Sequence, residues 1–210
     1  VIVINFKNYK TGRYVLDLAR KIEKTHSKNI IVAVPAVNIK EISEKTKLNV
    51  YSQHIDYQNS ERSTGFLTPT SIKKAGTQGT LLNHSEHKIK LEDVKKTIKE
   101  CKKINLKVIA IASNLKESKE IKKFNPFAIA FEDPKLVATG KSITKYKSEE
   151  LKKFVSLLKN TKIISLCGAG IKSVEDYREA LKLGCKGVLI SSVITRSKNP
   201  EKFLNDISKI

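Results

Sequence analysis

Several short stretches put chemistry-bearing side chains where an apolar run ends. In "FAIAFEDPKLVATGKS" (127–142) the run Phe127 to Phe131 stops at Glu132, and a polar segment with proline and glycine follows. A carboxylate held beside apolar residues loses solvation, the lever by which proteins tune an acid toward a useful base. In "NHSEHK" (83–88), His84 follows the run "GTLLN" and can serve as acid, base or neutral hydrogen-bond donor. In "NFK" (5–7), Asn5 and Lys7 alternate with Phe6, so an extended chain points both to one side. A lysine there suits an anion, as a compact charge with rotating donors. "CGAGIKS" (167–173) and "SSVITRS" (191–197) are turns leading into helices, with free backbone N–H groups of the kind that hold phosphate. Each signal has a bland alternative: an exposed lysine, a structural histidine, a strand-end acid in water, a tight turn that needs glycine. Together they amount to a base, a neutral electrophile, a cation and an anion cradle. His84 and His87 are three apart, but no second cluster completes a ligand set, so no metal is expected.

Those residues work together only if one architecture gathers them. Short apolar runs recur at 1–5, 30–34, 48–53, 79–83, 107–112, 127–131, 162–167 and 187–191. They are apolar at consecutive positions, as strands buried on both faces must be. Amphipathic segments lie between them. Val15, Leu18, Ala19 and Ile22 share one helical face, as do Leu91, Val94, Ile98, Cys101 and Ile104. The 151–158 and 174–183 segments repeat the pattern. About eight strand–helix units, spaced by roughly 26 residues, predict a single α/β domain over 1–210, a (β/α)8 barrel. The runner-up is an open doubly wound sheet, weakened because no G-x-G-x-x-G follows the first strand. In a barrel, active residues sit at the C-terminal ends of strands, where Asn5, Lys7, His84, Glu132, Gly170 and Ser192 stand.

At 40% hydrophobic, 210 residues suffice for one sizeable core and are short for two domains. The longest apolar stretches fall short of the roughly 20 residues of a membrane helix, and "VIVINFK" lacks the length and flanks of a signal peptide. Three cysteines without a CxxC pair suit reduced thiols in a cytoplasm. The net charge of +20 raises the class of basic nucleic-acid-binding proteins. The lysines are dispersed over helix-like segments, and aromatics, at 6%, nowhere interleave with them. Solvated lysine faces are therefore the preferred reading.

The motifs "NFK" (5–7), "NHSE" (83–86), "AFEDPKLVATGK" (130–141), "CGAGI" (167–171) and "GVLISS" (187–192) together resemble the triosephosphate isomerase family in its short archaeal form, from end to end of the chain. The resemblance implies that Glu132 removes and returns a carbon-bound proton, interconverting dihydroxyacetone phosphate and D-glyceraldehyde 3-phosphate. It implies that neutral His84 donates hydrogen bonds to the enediolate oxygens, that Lys7 stabilises their charge, and that Asn5 orients the substrate. Glu86 would place Lys7 or a neighbour. Backbone N–H groups near Ala138, Gly170, Ser191 and Ser192 would hold the phosphate, and no cofactor is implied. A pair of turns at strands seven and eight is this barrel's usual phosphate site. The segment 133–141 would be a lid. "DYQNSERSTGF" (56–66), with Thr64 and Gly65, resembles the family's dimer loop, implying a homodimer or a homotetramer. Two departures stand in the lid. Asp133 replaces the usual proline, which comes one later as Pro134, and the tip reads Val137-Ala138-Thr139-Gly140 instead of Ile-Gly-Thr-Gly.

Overall fold

The computed structural model describes residues 1–26, 29–137, 139 and 142–210. Eight strands form one closed, all-parallel barrel in chain order. They are β1 (Ile2–Asn5), β2 (Ile30–Val34), β3 (Asn49–Ser52), β4 (Gly79–Leu82), β5 (Lys107–Ala112), β6 (Ala128–Phe131), β7 (Ile164–Cys167) and β8 (Gly187–Ile190). The main helices between them are α1 (Arg13–Glu23), α2 (Ile39–Lys45), α3 (Pro69–Lys74), α4 (Leu91–Lys103) and α5 (Leu115–Lys122). After β6 come α6 (Ile143–Tyr146) and α7 (Ser148–Leu158), then α8 (Val174–Lys182) after β7. The chain finishes with α9 (Ser192–Thr195) and α10 (Pro200–Ile207). The barrel expectation holds, and the open-sheet alternative falls because β1 pairs with β8.

The strands are apolar on consecutive residues because they face two cores. Val3, Ile31, Ala33, Tyr51, Leu81, Ile109, Ile111, Ala130, Leu166 and Leu189 fill the barrel. Their neighbours Ile2, Ile4, Val32, Val34, Ala110, Ile129 and Val188 pack outward against the helices. Burying each large aliphatic side chain is worth about 1.5–3 kcal/mol, so register is pinned on both faces. Tyr51 takes space that Gly79 leaves: a Cβ at Gly79 would collide with the tyrosine ring and the Lys107 carbonyl.

Each helix meets the outer layer through one face, as Val15, Leu16, Leu18, Ala19 and Ile22 do on α1. Charge follows the helix dipole on α4, with Glu92 and Asp93 in the first turn and Lys102 and Lys103 in the last. Helix-to-strand turns use residues that tolerate a left-handed backbone: Asn29, Asn105, Asn125, Gly76 and Gly184 all have positive φ. The start of α8 is fixed by a reciprocal cap between Ser173 and Asp176. The Asp176 carboxyl also accepts the Lys172 N–H at 3.1 Å. This clamps the exit of the Gly-rich turn after β7. Among the described residues, no helix is long and apolar enough to cross a membrane.

Candidate active site

The C-terminal mouth of the barrel opens into a cavity of about 190 Å3. Asn5, Lys7, His84, Glu132, Val137, Gly170, Ser191 and Ser192 all line it. The volume lies below the about 300–1,000 Å3 of drug-sized pockets, and suits a small metabolite rather than a dinucleotide or a nucleic-acid strand.

Glu132 extends the inward parity of Ala128 and Ala130 on β6, so its carboxyl enters the mouth. Its N–H is held by the Ala112 carbonyl at 2.9 Å. Behind the carboxyl stands Gly168, where a Cβ would come 2.7 Å from Glu132 Oε1. Glu132 is 5% exposed and His84 7%. Their facing atoms, Glu132 Oε2 and His84 Nε2, are 3.2 Å apart. The alignment is not that of a hydrogen bond, and among the described residues the buried Oε2 has no hydrogen-bond partner. Glu132 lines the cavity, where an incoming group can reach its carboxyl.

His84 reaches the mouth through a backbone irregularity. Strand parity would send it outward, beside Leu82, but Asn83 adopts φ 63 and turns the chain. Asn83 is pinned by donating to the Ile111 carbonyl at 2.9 Å and to Glu117 Oε1 at 2.8 Å, while its Oδ1 accepts the Ile89 N–H at 3.2 Å. The Glu86 N–H donates to His84 Nδ1 at 3.1 Å. That contact occupies Nδ1 and leaves Nε2 as the ring nitrogen on the Glu132 side.

Lys7 has a left-handed backbone, φ 47, stabilised on both sides. Its N–H donates to Asn5 Oδ1 at 2.9 Å and its carbonyl accepts from Gln53 Nε2 at 3.0 Å. Its ammonium meets Glu86 Oε1 at 2.6 Å, and its side chain is only 14% exposed. It is therefore a positioned cation, unlike the freely solvated lysine that remained open from sequence.

The opposite wall is built from loops after β7 and β8. Ala169 and Gly170 are consecutive residues of positive φ, 71 and 73, and both line the cavity. Among the described residues, the buried Ser191 Oγ has no hydrogen-bond partner. Tyr9, Ala169, Lys172 and Arg196 also line the cavity. Sequence reasoning missed them, although Arg196 lies inside the quoted "SSVITRS".

In the proposed lid, Asp133 turns away from Glu132. Its Oδ1 accepts the Lys135 N–H at 2.9 Å, and Oδ2 lies 3.8 Å from Lys147 Nζ. Pro134 and Leu136 follow in a hydrogen-bonded turn, and Thr139 donates to the Leu136 carbonyl. Ala138 and Gly140 lie outside the described residues. Thr64 and Gly65 stand away from the mouth, exposed on the loop between β3 and α3. Among the described residues, no group of three or more metal-ligating side chains is placed to hold an ion.

Fold and mouth define a class: a (β/α)8 barrel with a buried carboxylate facing a histidine in a cavity at the strand ends. Residues 1–209 match the triosephosphate isomerase family model. A triosephosphate isomerase of Sulfolobus acidocaldarius is 36% identical over 215 residues, covering 100% of this chain and 94% of that protein. One of Methanocaldococcus jannaschii is 36% identical over 216 residues, covering 100% and 99%. One of Saccharolobus solfataricus is 35% identical over 212 residues, covering 98% and 93%. The chain belongs to the triosephosphate isomerase family.

Proposed function

We propose that the protein interconverts dihydroxyacetone phosphate and D-glyceraldehyde 3-phosphate through an enediolate, in glycolysis and gluconeogenesis. The observation that carries this reading is the buried Glu132 Oε2, unpartnered among the described residues, facing His84 Nε2 at 3.2 Å. Glu132 takes the proton from one carbon and returns it to the next. The His84 Nε2–H donates to the enediolate oxygens, and Lys7, held by Glu86, balances their charge. Donors fixed in place before the reaction lose nothing to reorganisation. Asn5 orients the substrate. The phosphate rests on backbone N–H groups near Gly170, Ser191, Ser192 and Ala138, and the 133–141 segment, with Val137 at the cavity, excludes water. The substrate carbonyl itself takes up the electron pair.

The test is a coupled assay in both directions. Glu132→Gln is expected to lower kcat by about 100- to 10,000-fold, the range for loss of a general base, with Glu132→Asp intermediate. Absence of turnover in the unaltered protein, or no effect of either substitution, ends this reading.

The same reading makes the active protein a homodimer, or a homotetramer of such pairs. The loop at 56–66 exposes Thr64, Gly65 and Phe66, and a second concavity, lined by Asn5, Lys7, Gln53, His54 and Glu86 among others, opens beside the active mouth. A partner loop seated there would brace Lys7 and Glu86 from outside. Three buried free thiols and a glycolytic role favour the cytoplasm, which cell fractionation would check.

A further inference from the structure

Arg196 directly follows α9 and lines the same cavity as Gly170, Ser191 and Ser192. Its guanidinium carbon lies 5.8 Å from the centroid of the Tyr9 ring, a cation–π distance. Tyr9 belongs to the β1–α1 loop that also carries Lys7, so the contact ties the two sides of the mouth together. Arg178, on the outer face of α8, lies 3.7 Å from Glu175. Among the described residues, Arg196 has no carboxylate partner. The buried Ser191 Oγ, in the lining of the same cavity, has no partner among the described residues either. A guanidinium resting on an aromatic face keeps its edge N–H donors free, and that planar fork matches phosphate oxygens in pairs.

We infer that Arg196, steadied by Tyr9, is a specificity-determining residue for the phosphate group, adding a planar charged donor to the backbone N–H groups of a cavity that Lys7 and Lys172 also line. The inference rests on the reading of this cavity as the triose phosphate site. Arg196 acts on the end of the substrate remote from Glu132, so it strengthens binding without touching the proton transfer. Its stacking against Tyr9 limits the rotamer freedom lost when the anion arrives.

The test combines calorimetric titration with inorganic phosphate and steady-state kinetics on two substrates, D-glyceraldehyde 3-phosphate and unphosphorylated D-glyceraldehyde. Arg196→Ala is expected to weaken phosphate binding about tenfold, in line with loss of a charged hydrogen bond at a partly solvated site. The KM for the phosphorylated substrate rises in parallel, and kcat/KM for D-glyceraldehyde is unchanged. Arg196→Lys recovers part of the loss, and Tyr9→Leu shows a smaller weakening. Arg178→Ala removes the same unit of charge far from the mouth and serves as the control. If Arg196→Ala binds phosphate as Arg178→Ala does, or slows D-glyceraldehyde as much as its phosphate, the inference is wrong. Arginine-dependent phosphate binding without isomerisation in the unaltered protein would uphold Arg196 and overturn the proposed reaction instead.

Discussion

Asn83 shows what a single residue contributes to this site. Its left-handed backbone carries His84 inward, and its amide ties the end of β4 to the Ile111 carbonyl on β5 and to Glu117 on α5. Glu117 gathers three donors: Asn83 Nδ2, the Ser113 N–H and Lys88 Nζ. Burial pushes the Glu117 carboxyl up, but the bonds from Lys88, Ser113 and Asn83 outweigh it and hold the group below its ordinary value of 4.5. A depressed carboxylate adds stability above the unfolded value, and that stability is lost as pH falls through the folded one. Glu117→Gln should therefore cost about 1–2 kcal/mol at neutral pH, with the gap to the parent protein closing below pH 4.5. Urea unfolding at several pH values measures this; a gap that stays constant into acid would contradict it. The residues proposed for catalysis could be picked out in the sequence because each follows an apolar run. The geometry of His84 was not, because the left-handed turn that aims it is set by tertiary hydrogen bonds from distant Ile111 and Glu117.

At the scale of elements, the eight strands could be read from the chain because two-sided burial leaves consecutive apolar residues. Helix ends were harder, since they depend on single caps such as Ser173–Asp176. Contacts between strand ends could not be read at all, and the β6–β7 pair shows why. Gly168 follows Cys167 and looks like an ordinary turn glycine. In the fold it is the wall behind the Glu132 carboxyl, with Leu189 O also 3.2 Å from where a Cβ would stand. Gly168→Ala must displace the Glu132 carboxyl. A misplacement approaching 1 Å can cost about 100-fold in rate, so kcat should fall at least tenfold while the melting temperature shifts little. A variant with full kcat would show that Glu132 has more room than its surroundings indicate. Asp133 fits the same pattern: its departure from the family's proline is visible in sequence, but its turn toward Lys135 and Lys147 is visible only in the fold.

For the whole molecule, the charge of +20 is spread rather than focused. Many lysines pair with glutamates one helical turn away, as Lys96–Glu92, Lys45–Glu41 and Lys152–Glu149 do. That is the solvated-face arrangement expected from the sequence. The apolar surface is more telling: Phe66 is 45% exposed at the proposed dimer loop, and Val37, just after β2, is 91% exposed. Placing a charge on that loop by Phe66→Asp should produce a monomer in light scattering, with activity reduced because Lys7 and Glu86 lose their outer support. A monomeric parent protein would remove the dimer proposal.

The β1–β8 pairing has a kinetic side. The Val1 amino group bonds to the Lys186 carbonyl across 185 residues of chain, so the seam belongs to the slowest class of contact to form. Until β8 arrives, the sheet keeps two open edges with apolar faces, the form of intermediate most prone to pairing with a neighbour. The two strands at that seam lead directly into Asn5 and Lys7 on one side and Ser191 and Ser192 on the other. In a barrel assembled strand by strand, the pairing that removes the last open edges is therefore the same one that assembles the mouth.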